Sequence, residues 1–381
     1  MKAMETPLRR TWAEIDLDNL AHNLAVIRRQ VGEGVRLLGV VKADAYGHGA
    51  APVARKLEEL GADYLAVSNI DEAAELRDGG VTLPILMLGY TPAEQGERAV
   101  RIGMTQAVTS LSAARDCDAA AARAGQPMKV HIKLDTGMGR LGFPCDDTHF
   151  DASLRDVRAV LALPHLDVEG VFTHFAVSDE DAPECVAFTR LQHERFLRMI
   201  DAVERGGFRF RVRHCCNAGG IASYPEWAAD MVRCGIILYG TGELAERMGM
   251  KPVMRFKTTV AAVRDFGAGA SISYGRTYFT DKPSRIAVLS VGYADGLHRA
   301  LSNKLTVKTP YGMARQVGRI CMDMCMIDAT DQPQLKIGDE VEIFGENVRC
   351  ETLARQCGTI SYELLCAVSR RVPRHYVESK A

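Results

Sequence analysis

No excess of either charge, no basic run and no long apolar run occurs in these 381 residues. Lys and Arg number 47 against 48 Asp and Glu, a formal charge of −1, and the doublets in "LRR" (8–10) and "SRR" (369–371) are too small to follow a phosphate backbone. Nucleic acid is therefore not an expected partner. No apolar stretch approaches the ~20 residues that cross a bilayer, which argues against membrane insertion. The start, "MKAMETPLRRTWAEIDLDN", carries charges throughout and has no apolar core of signal-peptide type, so a cytoplasmic protein is expected. Paired C-x-x-C spacing is also missing. The 11 cysteines are an odd, scattered set whose nearest groupings, Cys215-Cys216 and Cys321/Cys325, offer neither a zinc site nor a disulfide framework. Buried thiols and no metal are the expectation. No solenoid-length repeat and no low-complexity linker is present.

What is present is alternation. The composition, 47% hydrophobic and 25% charged, is that of a globular chain, and the length suggests two domains. Short apolar runs recur at 36–42, 64–69, 84–89, 105–110, 129–135, 168–175, 210–217 and 231–236. Between them lie stretches with helical spacing such as "APVARKLEEL" (51–60) and "AFTRLQHERFLRMIDAVERGG" (187–207). Eight such alternations predict a (β/α)8 TIM-type barrel over 13–245. After about residue 245 strand-like runs between turns take over, among them "MRFKTTVAAVRDFGAG" and "RIAVLSVGYADG". Residues 246–381, with 1–12, are expected to form a mainly β domain.

In such a barrel the working residues stand where strands end. That places Lys42, Lys133 with Arg140 beyond it, His174, Asn217 and Arg233 on one face. A lysine at a strand end ordinarily snorkels to water. Here "ADAYGHG" follows it, and a tyrosine with glycines that permit close backbone approach suits a planar, phosphorylated ligand. A lysine desolvated at a barrel mouth becomes nucleophilic and can form a Schiff base. The run "KLDTGMGRLG" (133–142) contains G-x-G-x-x-G, yet Arg140 lies inside it and no apolar helix follows, so carboxylate capture by Arg140 fits better than a dinucleotide site. His174 alone reads as a core histidine, although its position also suits the mouth. Arg233, inside an apolar strand, needs planar acceptors. Tyr274 in "SISYGRTY" and Met322-Asp323 in "GRICMDMCMID" are individually explained by packing.

Taken in order, "WAEIDLDNLAHNL", "VVKADAYGHG", "HIKLDTGMGRLG", "GVFTHF", "DMVRCGIILYG", "SYGRTY", "VGYADG", "GRICMD", "GTISYE" and "RRVPRHY" resemble the alanine racemases across nearly the whole chain. The resemblance implies pyridoxal 5'-phosphate, held by Lys42 as an aldimine, and interconversion of L- and D-alanine for peptidoglycan by two bases, Lys42 and Tyr274. It puts His174 beside Tyr274 and Arg233 at the pyridine nitrogen. Tyr46, Tyr362 and the backbone around Asn217, Gly235 and Ile236 are placed at the phosphate, and Arg140 at the substrate carboxylate, oriented by a Lys133 that family members often carbamylate. Met322 and Asp323, with Tyr274, are implied to reach into the barrel of a second subunit, making a homodimer with shared sites. His48 is left as structural.

Three positions depart from the family pattern: Ala218 replaces a phosphate-binding serine, Cys234 a common proline, and Met324 a polar residue. A related racemase acting on serine or lysine is the nearest alternative. Barrel decarboxylases set an acid where this chain has Arg233, and cofactor-binding proteins without catalysis lack the second domain.

Overall fold

The computed structural model describes residues 10–379; the first nine residues of the segment expected over 1–12, and residues 380–381, lie outside it. Strand β1 (Thr11–Asp16) leads into the helix Leu17–Val31, which Asp16 caps by accepting from the Asn19 amide at 2.9 Å. There follow β2 (Arg36–Val40), β3 (Tyr64–Val67), β4 (Ile85–Met87), β5 (Met104–Val108), β6 (Met128–Asp135), β7 (Phe143–Pro144), β8 (Leu166–Phe172), β9 (Val212–His214) and β10 (Met231–Cys234). All but the two-residue β7, which pairs beside β6, lie parallel in the order β10-β2-β3-β4-β5-β6-β8-β9. The ring closes where the Asp230 amide donates to Arg213 O at 3.1 Å and the Arg233 amide to Cys216 O at 3.0 Å. Arg213 also clamps the Asp230 carboxylate, Nε to Oδ2, at 2.8 Å.

Each apolar run of the first two thirds is thus a barrel strand, as expected. Residues on both faces of β3 are buried, which is why these strands read as continuous apolar runs and not as alternation. The intervening helices carry conventional signals: Ser110 caps Leu111–Ala124, Gly125 ends it at φ 70°, and Pro183 opens Pro183–Glu204.

The second domain is organised by β11 (Met254–Phe266), whose residues alternate between buried and half-buried over Met254–Val260. It is followed by β12 (Ser271–Ile272), β13 (Tyr278–Phe279), β14 (Ser284–Leu289), β15 (Thr306–Thr309), β16 (Gly312–Val317), β17 (Cys325–Asp328), β18 (Glu340–Phe344) and β19 (Arg374–Val377). The first half of β11 pairs with β1 and β18, and the second half with β14 beyond an irregularity between Val260 and Ala262. Because β14, β17, β16, β15 and β18 are themselves neighbours in that order, β11 closes them into a second ring. Strand β1 belongs to this sheet, between β11 and β19, so the boundary expected between residues 12 and 13 falls inside a strand. Two short helices, Cys350–Cys357 and Ser361–Ala367, had no counterpart in the sequence reading; at eight and seven residues they are too brief to show a clear period.

The two domains are joined at a tight crossing. Buried Asn23 donates to Leu238 O at 3.0 Å and to Lys251 O at 2.8 Å, and accepts from the Lys251 amide at 2.8 Å. Gly240 stands at φ 66°, where a Cβ would overlap the Lys251 carbonyl. Gly240→Ala should therefore lower stability by more than ~2 kcal/mol. Gly267→Ala, at a position with open space and no positive φ, should change it little. Thermal unfolding of both variants checks this.

Candidate active site

Lys42 leaves the end of β2 on a turn with unusual handedness. Ala43, Asp44, Ala45 and Tyr46 all have φ between 52° and 55°, a left-handed turn of L-residues that is disfavoured by roughly 1 kcal/mol or more at each position. Neighbours hold it. Glu72 accepts from the Ala43 and Ser68 amides, both at 2.7 Å, and Asp44 accepts from the Ala50 amide at 2.7 Å. His48 is fully buried, with Nδ1 placed to donate to Ala45 O (2.8 Å) and Tyr46 O (3.0 Å), and burial pushes its pKa down to about 4. The glycines of this stretch serve the protein's own packing and not a ligand. A Cβ on Gly47 would strike the Leu365 carbonyl, and one on Gly49 the Tyr376 hydroxyl. The second domain therefore presses directly on the turn that presents Lys42.

A cavity of about 460 Å³ opens at this end of the barrel, and it gathers Lys42, Tyr46, Lys133, Arg140, His174, Asn217, Arg233, Gly235, Ile236 and Tyr362. Its electrostatics are one-sided: four cationic side chains line it and no Asp or Glu does. Burial first, then Arg140, lowers the pKa of Lys42; burial, then Arg140 and Arg233, lowers Lys133 to about 8. A site of this kind favours an anionic ligand, because unpaired buried cations are unfavourable. Phe172 beneath them supplies partial compensation, its ring centroid 5.9 Å from Lys133 Nζ and 5.4 Å from Arg233 Cζ.

Arg233, 3% exposed, donates from Nη2 to Thr173 O at 2.7 Å and Cys215 O at 3.0 Å, and from Nη1 to His214 O at 3.2 Å. Its remaining nearby acceptors are the Nδ1 atoms of His214 (3.2 Å) and His174 (3.3 Å). Its Nε has no acceptor among the described residues. His174 is held well below the usual histidine pKa by burial and then by Arg233, so it is neutral.

The glycine loop after β6 is organised internally. Asp135 accepts from the amides of Gly137 (3.0 Å), Gly139 (3.1 Å) and Arg140 (3.1 Å), which removes the donors a dinucleotide phosphate would need. Across the barrel Asn217 spends its side chain on Gly220 N, Ser178 Oγ and Phe175 O, leaving backbone to face the cavity. Ala218 lines the cavity, whereas Cys234 lies in the wall with its thiol pKa pushed up to about 12 by burial.

Tyr274, Met322 and Asp323 do not reach this cavity. They line a second one of about 660 Å³ on the β domain, together with Met324. Tyr274 is 71% exposed. The loop carrying Met322 is fixed from behind: the Tyr293 and Ala294 amides donate to Cys321 O and Met322 O at 3.0 Å, and Arg371 joins Asp323 to buried Asp295 with two 2.7 Å bonds. Sequence reasoning missed Phe172, Glu72, Asp135, Ser68 and Arg371. Only Asp135 had a local signal, an aspartate two residues ahead of a glycine turn. Among the described residues no group of three or more metal-ligating side chains occurs, and no helix is long and apolar enough to cross a membrane.

Two family models cover this architecture: the alanine racemase N-terminal domain over residues 15–243 and the C-terminal domain over 253–376. The chain belongs to the alanine racemase family. It is 42% identical to alanine racemase 2 of Caldanaerobacter subterraneus subsp. tengcongensis, over 97% of this chain and 95% of that one. It is 44% identical to the alanine racemase of Desulfovibrio desulfuricans, over 97% and 99%. The solved alanine racemase of Clostridium difficile 630 superposes with a TM-score of 0.92 at 40% identity, covering 98% of this chain and 97% of that one. Alanine racemases are isomerases that use pyridoxal 5'-phosphate, and the cavity fits that group. It offers an amine of lowered pKa, the Arg233 guanidinium on its lining, and the amides of Ala218 and Ile236, which open short helices without intrahelical acceptors.

The left-handed turn is directly testable. Ala43 is exposed and packs against little, so Ala43→Gly relieves its φ without opening a cavity. The thermal midpoint should rise by a degree or more, corresponding to about 0.5–1 kcal/mol.

Proposed function

We propose that the chain is a pyridoxal-phosphate-dependent alanine racemase that supplies D-alanine for peptidoglycan, working as a homodimer. The observation that carries this reading is the pairing, in one acid-free cavity, of Lys42 with a buried Arg233 whose Nε–H is uncommitted. When bound, the cofactor withdraws electrons from the α-carbon of the amino acid it holds, making the α-proton removable. Lys42 anchors it. Tyr46, Tyr362 and the backbone at Asn217, Gly235 and Ile236 take the phosphate. Arg233, always protonated, can only donate to the ring nitrogen, which leaves that nitrogen without a proton of its own and limits carbanion side reactions.

Racemisation requires a proton removed from one face of the α-carbon and delivered to the other. Lys42 serves one face, its lowered pKa making the free amine accessible. Tyr274 serves the other, from the partner's β domain, with neutral His174 beside it. The exposure of Tyr274 and Met322, and the cavity they share with Asp323, support a face completed by a second copy. Arg140 takes the substrate carboxylate. Lys133 and Arg140 repel as two cations; carbamylation of the neutral Lys133 amine by CO2, with release of one proton, turns that repulsion into an ion pair. All 11 cysteines are free, which suits a reducing cytoplasm.

Incubation of cofactor-loaded protein with L-alanine should yield D-alanine by chiral quantification, with little D-serine or D-lysine from the corresponding L-substrates. Dominant D-serine would move the activity to the related racemases. Lys42→Ala and Tyr274→Phe should each be inactive, and mixing them under subunit exchange should restore activity through one intact site per heterodimer; no recovery rules out shared sites. Incubation with 13C-bicarbonate should produce a carbamate carbon signal that strengthens as pH rises through about 8 and is missing in Lys133→Ala.

A further inference from the structure

Below the cavity floor the barrel interior contains a continuous string of polar side chains that the proposed reaction does not use. Arg233 Nη1 lies 3.2 Å from His214 Nδ1, His214 Nε2 lies 2.9 Å from His131 Nδ1, and His131 Nε2 lies 3.1 Å from Glu169 Oε2. At the far end Tyr64 donates to the same Glu169 oxygen at 2.5 Å, and Lys129 Nζ is 3.1 Å from the other. Both histidines are fully buried, and Glu169 is 8% exposed. The string descends from β10 through β9 and β6 to β8, towards the amino-terminal end of the barrel where Tyr64 begins β3.

Its direction is forced. A guanidinium has no lone pair to accept with, so His214 Nδ1 must be the acceptor and its single proton sits on Nε2. That proton points at His131 Nδ1, which must accept in turn, so His131 also carries its proton on Nε2 and donates it to Glu169. Burial, as the first cause, holds both imidazoles below the usual histidine pKa and therefore neutral. At Glu169 burial raises the carboxyl pKa, but hydrogen bonds from His131 and Tyr64 outweigh it and bring it to about 2. The phenyl ring of Phe172 stacks on His214 at 4.7 Å with a 10° interplanar angle, fixing the imidazole plane. Arg233 touches no carboxylate, and Glu169 is the anion at the other end of its string.

We propose that Glu169 is a positioning residue for Arg233, setting the orientation and donor strength of its guanidinium through His131 and His214 from the opposite end of the barrel. The role rests on the reading of Arg233 as the group facing the cofactor ring. It makes Glu169, outside the cavity lining, a determinant of how the ring nitrogen is polarised.

The test uses the holoenzyme. Glu169→Gln keeps the shape and removes the charge; it should shift the visible absorption maximum of the bound cofactor and lower kcat/KM about tenfold, the size seen when the outer partner of a site residue is lost. The loss should fall on kcat, with KM for alanine changed less than twofold, and Glu169→Asp should recover most of it. A Glu169→Gln protein with a lower unfolding temperature but an unchanged spectrum and kcat overturns the proposal, leaving Glu169 as structure only. Neutron diffraction of the unmutated holoenzyme gives a second readout that needs no variant to fold. Deuterons on Nε2 of both His131 and His214 support the chain, and a deuteron on either Nδ1 overturns it. Wild-type protein with no cofactor absorption band would overturn the reading of Arg233, whereas the histidine deuterons judge the string by themselves.

Discussion

A guanidinium buried without a carboxylate against it is the constraint around which this molecule is arranged. Arg233 stands 3% exposed in β10, and every hydrogen bond it makes to protein goes to a carbonyl or an imidazole. Burial lowers its pKa to about 10, which leaves the guanidinium charged at neutral pH. The barrel answers with geometry in place of a counter-ion: strand-end carbonyls from β8 and β9 converge on it, and Phe172 presents a ring face to it. A carboxylate in direct contact would strengthen the pair while drawing the guanidinium away from the cavity. Carbonyls and imidazoles leave it available.

The same economy of acids extends over the cavity. Beyond the effect of burial, Arg140 lowers the proton affinity of both Lys42 and Lys133, and Arg233 and Lys42 add to the effect on Lys133. Mutual repulsion of this sort is sustained only by a rigid frame, because flexible side chains would turn to solvent. Closed strand pairing, the Asp135 loop and the Glu72-braced turn supply that frame. An anion entering such a place meets donors already in position, so little reorganisation is needed on binding.

Much of this was legible in the sequence. The eight apolar runs marked the barrel because parallel strands are buried on both faces, and strand-end polar residues marked the cavity because barrel geometry brings those ends together. Tyr274, Met322 and Asp323 were recognisable only by resemblance, since nothing local distinguishes them from surface residues. Glu72 and Phe172 escaped notice because their importance comes from what lies across the fold from them. The glycines after Tyr46 were misread as room for a ligand: the residues they make room for, Leu365 and Tyr376, are far away in the chain and invisible to any local pattern. The helix bearing Tyr362 was missed for its brevity.

That contact also sets an order of events. Gly47 accepts a hydrogen bond from Arg374, 327 residues later, and His48 accepts one from Tyr376. Closing loops of that span is entropically demanding and slow. During synthesis the barrel strands emerge before the β domain, and the left-handed turn beside Lys42 waits for Leu365, Arg374 and Tyr376 to seat against it. The turn that presents Lys42 therefore takes its final setting only once residues 365–376 have been made and seated against it, so its geometry depends on residues more than 300 positions downstream.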